Sequence, residues 1–307
     1  MSGTKAFVYI GTLLIVCLLL MGGSPYPTVY FQMADPVADE YGYGTYQYPG
    51  NIAFKPYKGL FDLTGFKVWS EKPGEIYFDT GFEVVTNPWA APEGFIHQNL
   101  RIFIDSQPDQ GFTNLPQPGA GVRFNPAYGW DLCLKIVGWE NSQLLVADGL
   151  KLKTWPLKTE LLRDGRTIRA KVPESQIGCP QKSWNYYVMV GSYDGFGADF
   201  FRKVKAKKGE WVFGGGLDQE IEPQVMDILA PAKGPHSQTK QLSSFNRETG
   251  ELAELTPVGL ELGAKNHFFW IVAAGALIVL GAAVGLFRYQ TNKISWFWVP
   301  KSRKPAA

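Results

Sequence analysis

Between residues 35 and 50 the chain reads DPVADEYGYGTYQYPG, which puts Asp35, Asp39 and Glu40 within six residues and Tyr41, Tyr43, Tyr46 and Tyr48 directly behind them. A hard cation gathers about six to eight oxygen ligands, and a short loop can turn carboxylates one and five residues along toward one point while its carbonyls add more. On its residues alone the stretch supports two readings: a hard-cation site, or a solvated acidic loop leading into an aromatic strand. Catalytic patterns are missing. The three histidines, His97, His236 and His267, are scattered, and no H-E-x-x-H, G-x-S-x-G or G-K-[ST] run occurs. Among 28 acids some carboxylate pair can always be found, and only its separation in space would bear on glycoside hydrolysis. The glycines of WVFGGGLD sit late in a strand-rich context without a following helix, which argues against a phosphate cradle. The chain is therefore read as a non-enzyme.

Flat aromatic faces suit the apolar faces of sugar rings, while Asn, Asp and Gln read hydroxyls. Tyr41, Tyr43, Trp89 and Trp155 stand in loop-like contexts and are the candidates for such a platform; the competing reading puts each of them in a core. Trp130, Trp139, Trp184 and Trp211 are assigned to structure.

The elements that must position these residues are short. LTGFKVWSE, GEIYFDTGFEVV, NLRIFIDS, DLCLKIVGWE, SQLLVADG, TIRAKVP and WNYYVMVGSYD read as strands, separated by EKPG, NPWAAPEG, QPDQG, QPGAG, RDGR and GCPQKS. Seven or more strands with no helical pattern to supply crossovers predict an all-β antiparallel sandwich rather than a parallel α/β sheet. The net charge of +2 carries no footprint of nucleic-acid binding.

Both ends differ from the middle. Residues 6–21 are apolar after Lys5 and before GGSP, which predicts a signal peptide or signal anchor over 1–24. Residues 268–287 form an uncharged run of twenty, about 30 Å as a helix, and predict a transmembrane helix over 267–288. Arg288, Lys293, Lys301, Arg303 and Lys304 follow it, so 289–307 is expected to be a cytoplasmic tail and 25–235 an extracytoplasmic domain at the cell membrane. The polar segment 236–266 reads as a stalk. Cys17 falls in the signal, leaving Cys133 and Cys179 either as one disulfide or as two buried thiols.

Four stretches in register, DPVADEYGYGTYQYP, GLFDLTGFKV, NPAYGWDLCLKIVGWE and GEWVFGGGLDQEIEPQVMDILAP followed by SQTKQLSSF, resemble the C-terminal module of glucodextranases, within the DOMON-like sandwiches that include family 9 carbohydrate-binding modules. The resemblance runs from about residue 35 to 245 and implies a non-catalytic β-sandwich tied to polysaccharide or the cell envelope, with calcium in its loops. Against the family's opening pattern, Asp35, Asp39, Gly42, Gly44, Tyr46, Tyr48 and Pro49 match, Ala38 stands for a glycine and Glu40 for an aspartate. With the resemblance, Asp35, Asp39 and Glu40 are expected to bind calcium, joined by Asp62 from FDL. Some DOMON relatives are haem proteins, which makes His97 with Met33 or Met189 an alternative ligand pair; nothing in their spacing singles them out. The function expected is a membrane-anchored, calcium-stabilised binding module for α-glucan or another envelope glycan. The alternative is a structural subunit contacting a surface glycosidase or transporter.

Overall fold

A computed structural model describes residues 27–259, apart from 108–109, 117–118 and 197–199. All seven strands read from the sequence form: β2 (Leu63–Ser70), β3 (Glu75–Phe82), β4 (Gln98–Asp105), β6 (Leu132–Ile136), β7 (Gln143–Asp148), β10 (Thr167–Pro173) and β11 (Asn185–Ser192). Six more join them: β1 (Thr28–Ala34), β5 (Val122–Phe124), β8 (Lys151–Pro156), β9 (Lys158–Leu161), β12 (Val225–Ile228) and β13 (Ala253–Leu255). The helices among the described residues are short, with α1 at Glu174–Ile177 and α2 at Gln238–Leu242.

Two antiparallel sheets dominate, one in the order β1-β2-β3-β10-β9 and the other in the order β12-β11-β4-β6-β7-β8. Phe66, Val68, Phe78, Ile168 and Val172 from the first meet Leu100, Ile102, Leu134, Val188 and Val190 from the second in one buried cluster. In β2 Gly65, Lys67 and Trp69, which alternate with Phe66 and Val68, are half-buried, the alternation expected of a sheet with one wet face. Strands β4 and β11 are buried at every position. Their alternate residues Phe103, Tyr187 and Met189 enter a second cluster with Phe124, Trp130, Leu242 and Leu255 on the far face of the same sheet. This double burial is why NLRIFIDS and NYYVMVGS are nearly continuous in apolar character.

The second cluster corrects one boundary. Residues 236–258, read from sequence as the start of a stalk, fold back onto the sandwich: β13 pairs in parallel with β5, Leu242 is buried, and Val258 bridges to Tyr186. The segment is polar because it is one layer thick, so only Leu242, Ala253, Leu255 and a few neighbours need to be apolar. Cys133 is buried in β6 while Cys179 is exposed, and no disulfide joins them. The apolar runs 6–21 and 268–287 lie outside the described residues. Among the described residues no helix is long and apolar enough to cross a membrane.

Candidate functional site

Three aspartates converge where the β1–β2 corner of one sheet meets edge strand β12 of the other. Asp35, Asp39 and Asp227 each bring a carboxylate oxygen within 4.8 Å of the other two. The corner is stitched by backbone: the Leu63 amide donates to Asp227 Oδ2 at 2.7 Å and the Ala230 amide to Asp35 Oδ1 at 2.9 Å. What the protein does not satisfy is as informative. Asp35 Oδ2, Asp39 Oδ1 and Asp227 Oδ1 are buried without a hydrogen-bond partner. Unsatisfied buried acceptors on three neighbouring carboxylates are costly unless a cation or protons neutralise them.

Their titration follows from that placement. Burial, aided by the charges of Asp39 and Asp62, pushes Asp35 up to about 8. Burial and the Asp62 charge raise Asp39 to about 6. Asp227 is held well above the usual carboxylate range by complete burial first and by Asp35 and Asp39 second.

The other two acids expected here do something different. Asp62 accepts the Ala38 amide on both oxygens, at 3.0 and 2.8 Å, and so fixes the turn between Asp35 and Asp39. Ala38, at the family's glycine position, takes a φ of 67° in that turn. Glu40 faces away into the core, where its oxygens accept from the Tyr48 hydroxyl at 2.5 Å, the Phe61 amide at 3.0 Å and the Gly59 amide. The longer reach of a glutamate spans that gap. Asp227 was not singled out by sequence reasoning, although a lone acid inside the apolar run VMDILA was a usable signal, because such a charge is buried only with a partner. Gln238 was missed too. It accepts the Ile228 amide at 2.8 Å and donates to the Asp39 and Gly42 carbonyls, clamping the acidic loop from the folded-back segment.

The tyrosines behind the acids are mostly structural. Tyr46 and Tyr48 are core residues. Tyr43, half-buried, packs its ring 5.0 Å from Tyr46 and 5.8 Å from Phe245 and donates to Glu222 at 2.5 Å. Tyr41 is half-buried against the main core. Gly42 is needed among them, since a Cβ there would lie 2.3 Å from the Tyr46 ring. Trp155 lies half-buried on edge strand β8, opposite Leu144.

Trp89 has other company. It lines a cleft of about 750 Å³ together with Trp139, Trp211, Tyr193, Arg202 and Asp194. The three tryptophans are 40%, 47% and 39% exposed, in the order 89, 139, 211. Trp139 and Trp211, assigned to structure from the sequence, are thus surface residues, whereas Trp130 and Trp184 are buried as expected. Register explains the convergence: Gln98 at the start of β4 pairs with Ser192 at the end of β11, and Leu100 pairs with Ile136 at the end of β6. The loops before β4, after β6 and after β11 therefore open at one end of the six-stranded sheet.

His97 is buried beneath Trp89, with ring centroids 5.4 Å apart, and burial lowers it to about 4, so it is neutral at ordinary pH. Met189 belongs to the second core cluster and Met33 packs at the edge of the first.

No curated protein matches the chain. A family model described as the C-terminal binding-module, SLH-like, of glucodextranase matches residues 30–257, which takes in the acidic corner, the tryptophan cleft and the folded-back segment alike. With that match over most of its length, the chain belongs to the family of glucodextranase C-terminal binding modules.

Proposed function

We propose that the chain is a non-catalytic binding module for a cell-envelope or storage polysaccharide, stabilised by calcium and carried at the cell membrane. The observation that carries the calcium reading is the set of three buried, partnerless aspartate oxygens at one corner of the two sheets. Three carboxylates suit a hard divalent ion with a preference for oxygen ligands. Asp35, Asp39 and Asp227 would hold it, and Asp62, Glu40 and Gln238 would hold the loop that carries Asp39. Binding rather than hydrolysis fits this corner, because Asp227 is fully buried and Asp35 nearly so, leaving no room for a glycosidic bond between them. Family membership supports glycan as the ligand class. The uncharged run 268–287 and its basic flank support anchoring.

The test uses the full chain in a detergent without a sugar headgroup. Calcium at a hundredfold excess over its Kd should raise unfolding stability by about 2.7 kcal/mol relative to exhaustive chelation, by mass action. A panel of immobilised α- and β-glucans should retain the chain specifically. An unchanged melting curve on chelation would remove calcium from this account, and failure to retain the chain on any glycan would remove the glycan.

A further inference from the structure

We propose that Trp89, Trp139 and Trp211 form the glycan-binding cleft of this module and that its ligand is a neutral hexopyranose chain; the proposal rests on the glycan-binding reading above. The three indoles are presented to solvent by three separate loops, and each loop is braced. Asn87 closes the Trp89 turn by donating to the Ala91 carbonyl and accepting its amide, both at 2.8 Å. The Glu93 carboxylate accepts the Trp139 amide at 3.1 Å and the Glu140 amide as well. Arg202 donates to the Trp211 carbonyl and to the Tyr193 carbonyl, each at 3.0 Å, and lies over the Trp211 ring. The backbone that carries the indoles is thereby held before a ligand arrives, which lowers the entropic cost of binding.

Backbone strain points the same way. Trp139 and Glu140 are consecutive non-glycine residues at φ 55° and 58°, in the turn between β6 and β7. A turn with both central residues at positive φ favours Asn-Gly or Asp-Gly, and left-handed backbone costs about 1–2 kcal/mol per ordinary residue. Ala90, immediately after Trp89, also has φ 53°. Two of the three indoles thus ride on conformations that the fold alone would fill with glycine or asparagine, and such strain concentrates where a side chain is displayed for use.

The lining chooses the ligand. One cation, Arg202, faces one carboxylate, Asp194, so the cleft has no net charge to recruit an anion or a cation. Arg202 donates to two backbone carbonyls and its buried Nε has no partner, so it keeps N–H groups that a sugar hydroxyl could accept from. Aliphatic side chains, which a docked peptide helix would seek, are represented by Ile96 alone. What remains is flat aromatic surface edged by Asn141, Asp194 and Tyr193, suited to rings with apolar faces and equatorial hydroxyls. Trp89 and Trp211 are 6.1 Å apart and inclined by 33°, too close to admit a ring between them. They pack against each other on two of the loops, with Trp139 on the third.

The experiment titrates the full chain, in a detergent lacking a sugar headgroup and with calcium present, with maltohexaose, isomaltohexaose, cellohexaose and laminarihexaose, reading heat and tryptophan fluorescence. At least one hexaose should bind saturably and shift the emission. Trp89→Ala and Trp139→Ala should each weaken it at least tenfold while the variants stay folded and keep the full calcium-induced rise in melting midpoint, and Trp155→Phe should leave it unaltered. Binding that persists in both cleft variants overturns the cleft while the module reading stands. Should an immobilised glucan retain the wild type, retention of the Trp89→Ala, Trp139→Ala double variant equally well would overturn the cleft even if no hexaose binds. Retention on no glycan at all overturns both.

Discussion

The acidic corner and the tryptophan cleft are built from opposite materials. The corner is closed, charged and left unsatisfied by its own protein; the cleft is open, neutral and braced at every loop by hydrogen bonds. In the corner, the cost is electrostatic and a small ion can remove it. In the cleft, the cost is conformational strain at Trp139 and Ala90 that no small ion relieves. The difference separates stability from recognition: perturbing the corner should move the melting curve and leave binding in place, whereas perturbing the cleft should move binding whatever it does to the melting curve.

The largest expected effect tests the corner. Asp227→Asn keeps the shape, removes a buried charge and deletes a ligand. In chelator it should melt at or above wild type, because a buried carboxylate without a counter-charge, one of whose oxygens has no hydrogen-bond partner, is destabilising. Its calcium-induced gain, about 3–4 kcal/mol for wild type at 100 to 1,000 times Kd, should vanish. A calorimetric scan with and without calcium decides this, and a full calcium shift in the variant would break the assignment of the corner.

Next in size is the clamp. Gln238→Ala removes the acceptor of the Ile228 amide and the donor to Asp39 and Gly42, leaving buried groups unpaired at a cost of about 2–3 kcal/mol. Denaturant unfolding should show that loss, and hydrogen exchange should show α2 and β13 opening first. Glycan affinity at low denaturant should hold, which sharpens the separation of the two regions.

Proton binding gives a third handle. Unfolded aspartates ionise near pH 4, whereas folded Asp39 and Asp35 keep their protons up to about 6 and 8. Between those limits the calcium-free native state binds more protons than the unfolded chain, so its stability falls as pH rises. The chelated protein should therefore lose several degrees of melting midpoint from pH 5 to 8. Calcium replaces the protons and should flatten that slope while binding more tightly at the higher pH.

The two regions were also unequally legible in the sequence. Strands β2, β3, β4, β6, β7, β10 and β11 announce themselves by alternation or by continuous apolar runs between turn residues. Short β5, β12 and β13 carry too few residues to show a period, and the folded-back segment is too thin a layer to look buried. Asp35 and Asp39 are legible because they lie four residues apart in one short stretch; Asp227, about two hundred residues away, is brought in by the pairing of β12 with β11. Trp139 and Trp211 illustrate the limit on the other side. Being aromatic in a sandwich suggests a core, and only the register that opens three loops at one sheet end turns them outward.

The smallest effects compare two strained residues, one in each region. Trp139→Gly suits φ 55° but frees the unfolded chain, so it should raise stability by at most a few tenths of a kcal/mol while abolishing binding to any hexaose that the wild type holds. Ala38→Gly restores the family's residue at φ 67° beneath Asp62. It relieves similar strain and frees the unfolded chain in the same way, so its net gain should also be a few tenths of a kcal/mol. Both melting curves move in the same direction, and the binding isotherms differ: Ala38→Gly should overlay wild type. Strain at Ala38 would then be residual, tolerated because two hydrogen bonds to Asp62 hold the turn, whereas strain at Trp139 would be maintained for the ring it displays. If Trp139→Gly gained stability and still bound the hexaose, the turn would carry strain with no functional return, and the contrast between corner and cleft would lose its sharpest term.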